Sequence, residues 1–195
     1  ATLEPARWGR KGRDRRRQFT RLSEEGDPAF QREADDADLV DWIESFLALE
    51  KAGWKGKARS ALASSRKTEV LFTDAMKGAA ARGRLERLRL CLDGKPIAML
   101  ASFVTPPGAF SYKTAFDESF ARFSPGVLLQ RENLSLLEDE NIAWCDSCAG
   151  ADHPMIDHIW RERRAIARVS IGIGGRARRG IFSRIARAET GRGAE

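Results

Sequence analysis

Apolar residues recur at Leu39, Val40, Ile43, Phe46, Leu47 and Leu49, a spacing near 3.6 that predicts an amphipathic helix. Asp38 is placed to cap its start and Gly53 to stop it. A second helix is predicted over residues 65–83, with Val70, Leu71, Phe72 and Met76 as its buried stripe. The pattern then changes to short strand-like runs. Residues 87–92 and 96–104 read as strands joined by an Asp93-Gly94 hairpin turn, and Pro106-Pro107-Gly108 leads into a third strand over 110–117. In that strand Ser111, Lys113 and Ala115 alternate with Tyr112, Thr114 and Phe116. A helix from Pro125 to about Glu138 and a strand at 142–145 follow. The flanks are sparser. Residues 1–9 read as disordered, 11–23 as a helix with Phe19 and Leu22 on its apolar face, and 24–28 as a turn-rich break. Residues 164–171 read as a last strand, 172–175 as a flexible joint, and 176–189 as a basic helix with Ile181, Phe182 and Ile185 on one side. The expected fold class is mixed α/β, a central, mostly antiparallel sheet with helices on both faces.

With 195 residues and 42% apolar content, the chain fits one core-forming domain with basic ends. The expected division is an arginine-rich segment at 1–23, a central domain at 24–171 and a basic tail at 172–195. No apolar run reaches about 18 residues and no charged-then-apolar leader opens the chain, so a cytoplasmic protein without a transmembrane segment is expected. The net charge of +6 is uneven: residues 1–21 contribute +6 and 161–195 contribute +7, leaving −7 for the middle. Basic ends of this kind suit nucleic acid or an anionic surface. With no recognition motif beside them, they read as solvated helix faces, and nucleic acid is not expected as a partner.

The chemistry concentrates between Phe110 and Leu129. The strand there ends in an acidic loop, and Ser124-Pro125-Gly126 opens a helix: a cap, a residue suited to the first turn, and a glycine that permits close approach. Free amides and the helix dipole make such a start a site for phosphate, here Ser124, Pro125, Gly126, Val127 and Leu128, with Arg122 able to add charge. A strand feeding a helix start that faces a pyrophosphate is the arrangement of acyl-CoA-dependent acyltransferases. A rival signal is Cys145, Cys148, His153 and His158, whose spacing is close to a zinc knuckle. Cys145 falls in a strand, and strand alternation scatters such ligands to opposite faces, so no metal is expected. Trp144-Cys145-Asp146-Ser147-Cys148 also has the form WCxxC, but no helix follows to activate the first thiol.

Four strings occur in an order that resembles GNAT-type N-acyltransferases of the CelD (cellulose biosynthesis) branch, relatives of the FemAB-like transferases. They are LEKAGWKGKARSAL, LCLDGKPIAMLASF, YKTAFDESFARFSPGVLL and IAWCDS, and the arginine-rich opening at 10–22 resembles the helix on which that domain begins. The resemblance covers roughly residues 10–170. It implies a GNAT-like fold and transfer from acetyl-CoA or a longer acyl-CoA to an amine or sugar-amine, a small-molecule or glycan-precursor acceptor of envelope or exopolysaccharide metabolism. Transfer needs a base and oxyanion donors. The residues that suit these tasks are the amides of the 111–115 strand as donors, Lys113 to hold an anionic acceptor or the cofactor, Asp117 or Asp146 as base or to orient the acceptor, and His153 as base. Trp54 and Lys55 belong to the GWKG string and suit an acceptor pocket, and Tyr112, the sole tyrosine, is placed to protonate a departing thiolate or to pack in the core. HPMIDHIW departs from the aromatic-lysine pair that many relatives carry before the late tryptophan, which implies a changed acceptor preference. The family usually has a further N-terminal half, so a half-enzyme awaiting that partner, or a basic interaction module, is the alternative expectation.

Overall fold

The structure is a computed structural model that describes residues 10–150, 153, 156, 157, 159, 160, 162, 163, 165 and 170–190, and among these the side chains of 17–189. The expected disorder of residues 1–9, the ligand position His158 and most of the strand expected at 164–171 lie outside them. The chain divides into two units, Ala1–Glu162 and Arg163–Glu195.

In the first unit, β1 (Pro28–Glu33), β2 (Leu85–Leu92), β3 (Lys95–Thr105) and β4 (Gly108–Phe116) form an antiparallel sheet in chain order. Asp93 and Gly94 take φ of 50° and 77°, the mirror-image turn backbone that a two-residue hairpin needs, and join β2 to β3 with Leu92 opposite Lys95. β5 (Trp144–Asp146) adds to β4 in parallel. β1 is not evident in the sequence because PAFQRE has no apolar alternation. As an edge strand it has one neighbour, and a proline at its first residue is tolerated there.

The helices are α1 (Arg10–Ser23), α2 (Leu39–Ala52), α3 (Trp54–Lys57), α4 (Arg66–Ala80) and α5 (Pro125–Asn133), the last continuing as a 3-10 turn, Leu134–Glu138. The expected helix to residue 138 therefore tightens in its second half. Trp42, Ile43 and Phe46 of α2 with Phe72 and Met76 of α4 cover one sheet face, against Leu85, Met99, Ala101 and Ala115. Leu22 of α1 with Leu128 and Leu129 of α5 cover the other, against Leu88, Leu90, Ala98 and Leu100. Full burial of each leucine, isoleucine, phenylalanine or methionine among them contributes about 1.5–3 kcal/mol. The rings of Trp42, Phe46, Phe72 and Tyr112 stack in series at centroid spacings of 5.3, 5.0 and 6.4 Å. Only Phe72 and Met76, one turn apart, form the stripe of α4. Val70 and Leu71 sit 40% and 65% exposed, because a helix on a sheet buries a narrow face.

Arg87 of β2 is fully buried and fixes the entry to α2. Its Nη2 donates to the carbonyls of Asp35 at 3.0 Å and Ala37 at 2.7 Å, and the Glu33 and Asp35 carboxylates lie at 3.3 and 3.2 Å from its guanidinium. Asp38 stands at the start of α2 in the left-handed region, φ 51°, without a side-chain cap bond, contrary to its expected capping role. Trp160 is buried, as expected of a core residue. The second unit holds α6 (Arg176–Thr190), with Ile181 and Ile185 exposed. Among the described residues no helix is long and apolar enough to cross a membrane.

Candidate active site

β5 pairs with β4 only at Gly108, Ala109 and Phe110; from Ser111 onward that edge of β4 has no paired strand among the described residues. A cleft of about 530 Å³ opens there, lined by residues 111–116 of β4, Glu50, residues 53–55, Gln130, residues 147–150, His153 and Ile156. Gly108 makes the closed end possible, because a Cβ there would lie 2.1 Å from the Trp144 ring.

The expected alternation along β4 is broken by a bulge. Ala101 pairs with Lys113 but Ser102 with Ser111, so Tyr112 is the extra residue. Ser111, Thr114 and Phe116 therefore share the α5 face, while Tyr112 and Ala115 face α2 and α4, and Lys113 shares that side through its pairing with Ala101. The bulge also resets which backbone groups point outward. The Asp117 amide donates to the Ile97 carbonyl at 2.8 Å, so in an antiparallel ladder Thr114 and Phe116 turn their amides and carbonyls to the open edge. Lys55 Nζ donates to that Thr114 carbonyl at 3.5 Å.

A buried polar chain fixes the fork between β4 and β5. Ser102 Oγ donates to Asn133 Oδ1 at 3.2 Å, Asn133 Nδ2 donates to Ser111 Oγ at 2.7 Å, and Ser111 Oγ meets Cys145 Sγ at 3.8 Å. Burial pushes the Cys145 thiol up to about 12, against the opposing Ser111 hydrogen bond, which keeps it a neutral partner in this chain.

One wall of the cleft comes from the corner between α2 and α3. Glu50, buried at the end of α2, accepts from Lys55 Nζ at 2.9 Å and from the Leu62 amide at 2.8 Å. Gly56 permits this corner, since a Cβ there would stand 1.7 Å from the Lys51 carbonyl oxygen. Trp54, 57% exposed, stands on the cleft wall, and its amide donates to Glu118, which also pairs with Lys57 at 3.0 Å. Glu50 was not legible as a site residue, because one carboxylate on an amphipathic helix gives no signal of burial.

Of the residues expected to carry the chemistry, Trp54, Lys55, Tyr112, Lys113 and His153 meet in this cleft, while Asp117, Asp146 and the 122–128 segment do not line it. Lys113 is half-buried and has no polar partner among the described residues. His153 Nδ1 accepts from the Ile156 amide at 3.4 Å, which leaves the proton of the neutral ring on Nε2, where it donates rather than accepts. Asp146 accepts from the Cys148 amide at 2.8 Å. Asp117 accepts from the hydroxyl and amide of Ser119 at 2.7 and 2.9 Å, and the hydroxyl bond first of all holds its carboxyl below the usual range, making it a weak base. Among the described residues no three His, Cys, Asp or Glu side chains are grouped to hold a metal. Cys148 is exposed by surface area, yet desolvation of its thiol, with the Asp146 carboxylate beside it, raises it to about 11.

At the start of α5, Ser124 takes φ 52° and ψ 52°; its Oγ accepts from Gln18 Nε2 at 3.4 Å instead of capping the helix. The Val127 and Leu128 amides donate to the Ser124 carbonyl at 2.9 and 3.1 Å, inside the helix's own first turn. Arg122 pairs with Glu25 at 2.8 Å and lies over the Phe123 ring at 4.6 Å. Gln130 connects this helix start to the cleft: it lies one turn below Gly126 on the same helix face and lines the cavity. Its Nε2 donates to Thr114 Oγ1 at 2.8 Å, but its Oε1 is buried without a donor. A buried acceptor lacking its hydrogen bond fits an amide-bearing arm lying along β4, and a pantetheine chain has such amides.

A sheet whose β4 and β5 part at a bulge, with α5 packed beside β4 and ending at the fork, is the GNAT acyltransferase fold. Residues 10–154 match the acetyltransferase (GNAT) domain, and the chain belongs to that family. Solved structures with the same fold include an aminoglycoside acetyltransferase from an uncultured soil metagenomic sample in complex with sisomicin (15% identity, TM-score 0.53, 75% of this chain and 97% of that one). An aminoglycoside 6'-N-acetyltransferase from Acinetobacter haemolyticus is 18% identical with TM-score 0.51, over 75% of this chain and 99% of its own. A transcriptional regulator from Bacillus halodurans C-125 is 11% identical with TM-score 0.54, over 74% and 100%. No curated protein matches the chain.

Proposed function

We propose that the chain transfers an acyl group from acetyl-CoA or a longer acyl-CoA to the amine of a small molecule, and that the 530 Å³ cleft is where the two meet. The observation that carries this reading is the open edge of β4 beyond Phe110, with Gln130 Oε1 unsatisfied beside it. A bound acyl-CoA supplies a thioester carbonyl whose C–S bond breaks as the new C–N bond forms, the ammonium proton leaving with the thiolate as a thiol. The outward amides of Thr114 and Phe116 hold the pantetheine arm, and Gln130 Oε1 accepts one of its amide protons. The N-terminal turn of α5, at Gly126, takes the pyrophosphate by its dipole. Lys55, fixed by Glu50 and the Thr114 carbonyl, and Trp54 shape the acceptor side, while His153 Nε2–H is a hydrogen-bond donor for the oxygen that gains charge. Glu50 is fully engaged. Cations on the cleft wall instead lower the pKa of an entering amine, favouring its reactive neutral form.

This reading extends to the CelD-type branch, whose GWKG string coincides with the Gly56 corner, and to a cytoplasmic setting in which acyl-CoA is available. Calorimetric titration of the chain with acetyl-CoA tests it. Micromolar binding is expected, with loss of at least tenfold in Gly126→Asp, where a carboxylate opposes the pyrophosphate. Absence of heat at millimolar acetyl-CoA would remove the proposal.

A further inference from the structure

The charges of the cleft wall are lopsided. Among its described lining residues the only carboxylate is Glu50, and both of its oxygens are taken, one by Lys55 Nζ and the other by the Leu62 amide. Just outside, Glu118 is held by Lys57 and the Trp54 amide, and Asp146 by the Cys148 amide. On the other side of the balance stands Lys113. It is half-buried, on the acceptor side of the sheet at the β4 bulge, and without a polar partner among the described residues. A lysine in the middle of a strand normally lies along an edge or finds a carboxylate, because taking an ammonium out of water is costly unless it is paired. Its pairing with Ala101 sets its side, and the bulge brings Tyr112 and Lys113 to the same face next to each other.

From this arrangement we propose that the acceptor is an amine that also carries an anionic group, a carboxylate or a phosphate, and that the Lys113 ammonium holds that anion. The proposal rests on the acyltransferase reading above and narrows its substrate class. Among the described residues of this wall a polycationic amine finds no free carboxylate and meets the Lys113 ammonium. An anionic amine meets complementary charge at one end, leaving its amine to approach the carbonyl beside the open β4 edge. Lysine suits this task as a compact charge on a flexible stem that adapts to either anion.

The test has one arm that needs no knowledge of the acceptor. Cys148 lines the same cleft and is the exposed thiol, while Cys91 and Cys145 are buried. Its alkylation at pH 9 and low salt is followed by peptide mass spectrometry with iodoacetate, an anion, and iodoacetamide, its neutral counterpart. The iodoacetate-to-iodoacetamide rate ratio is expected to fall about threefold or more in Lys113→Gln, since at about 0.01 M salt the Debye length is about 30 Å and charges lining one cleft act on each other. An unchanged ratio overturns the proposal. The second arm compares initial rates of CoA release with glucosamine 6-phosphate against glucosamine, glycine against glycinamide, and spermidine. Preference of about tenfold for the anionic member of a pair, collapsing toward one in Lys113→Gln, supports the proposal. Equal or better use of the neutral member or of spermidine overturns it, and if no amine is used the alkylation ratio decides. Acetyl-CoA binding, measured alongside, separates the two ideas: its absence defeats the acyltransferase reading, whereas binding with no charge preference defeats only this one.

Discussion

At the scale of single residues, the site depends on positions where one atom more would not fit. Gly56 is the clearest. An alanine methyl would stand 1.7 Å from the Lys51 carbonyl oxygen, a backbone atom that moves only if α3 swings away from the end of α2. Trp54 and Lys55 would move with it. Gly56→Ala is therefore expected to lower kcat/KM for acyl transfer by tenfold or more and to reduce stability by about 1–3 kcal/mol, the usual cost of overpacking. Activity and a melting midpoint equal to those of the parent chain would show that the corner does not position the wall. Asp117 carries a different kind of dependence. Its Ser119 bonds hold its folded pKa below the unfolded value near 4, so its contribution is present above that value and is lost as pH falls through the lowered one. Asp117→Ala is expected to cost about 1 kcal/mol at pH 7, as for a lost cap, and to cost progressively less in urea titrations carried below pH 4. A penalty that is the same at both pH values would contradict the assignment. The GWKG string was legible as a motif; that its second glycine answers a carbonyl 1.7 Å away was not, because sequence spacing does not report interatomic approach.

The elements tell a similar story about what patterns can and cannot convey. The hairpin, the two α-helices on one face and the strand-to-helix passage into α5 follow from turn chemistry and apolar period, and all stand where those signals put them. The β4 bulge does not follow from them. A bulge is a shift of register between two strands, and a single strand's alternation reads identically with or without it until a partner is present. That shift puts Tyr112 and Lys113 on one face, opposite to Ser111, and sets which amides line the cleft, so this feature of β4 was the least visible one. The short β5 survives because the Ser102–Asn133–Ser111–Cys145 chain ties it to two strands and α5. Asn133→Ala breaks this chain in the middle and leaves two buried hydroxyls short of a partner. A loss of about 2–4 kcal/mol in denaturant titrations is expected, with weaker acetyl-CoA binding from a loosened fork. A change under 0.5 kcal/mol, within the range typical of surface substitutions, would mean the fork is held by the strands alone.

For the molecule as a whole, the first unit contains the sheet, both covering layers and the cleft, and the family match ends at residue 154 within it. The mixed α/β class and the GNAT resemblance were both readable from the chain, since the strings that carry the resemblance fall on α2 and α3, the β2–β3 hairpin, and β4 into α5. What escaped was the assembly of the site. Asp117 and Asp146 look like bases along the sequence, yet in space each carboxylate is turned to a neighbouring amide, while Glu50, more than sixty residues before Lys113, lines the same cavity. Distance along the chain carries little information about distance across a forked sheet.

The central claim is that the unpaired edge of β4 is where the acyl donor lies. Hydrogen exchange of the chain with and without saturating acetyl-CoA tests it most directly. The account predicts slowed exchange in peptides spanning residues 111–116 and 126–130, at least several-fold, with β1 and the β2–β3 turn unchanged. Protection confined to other segments, or none at saturating donor, would contradict it.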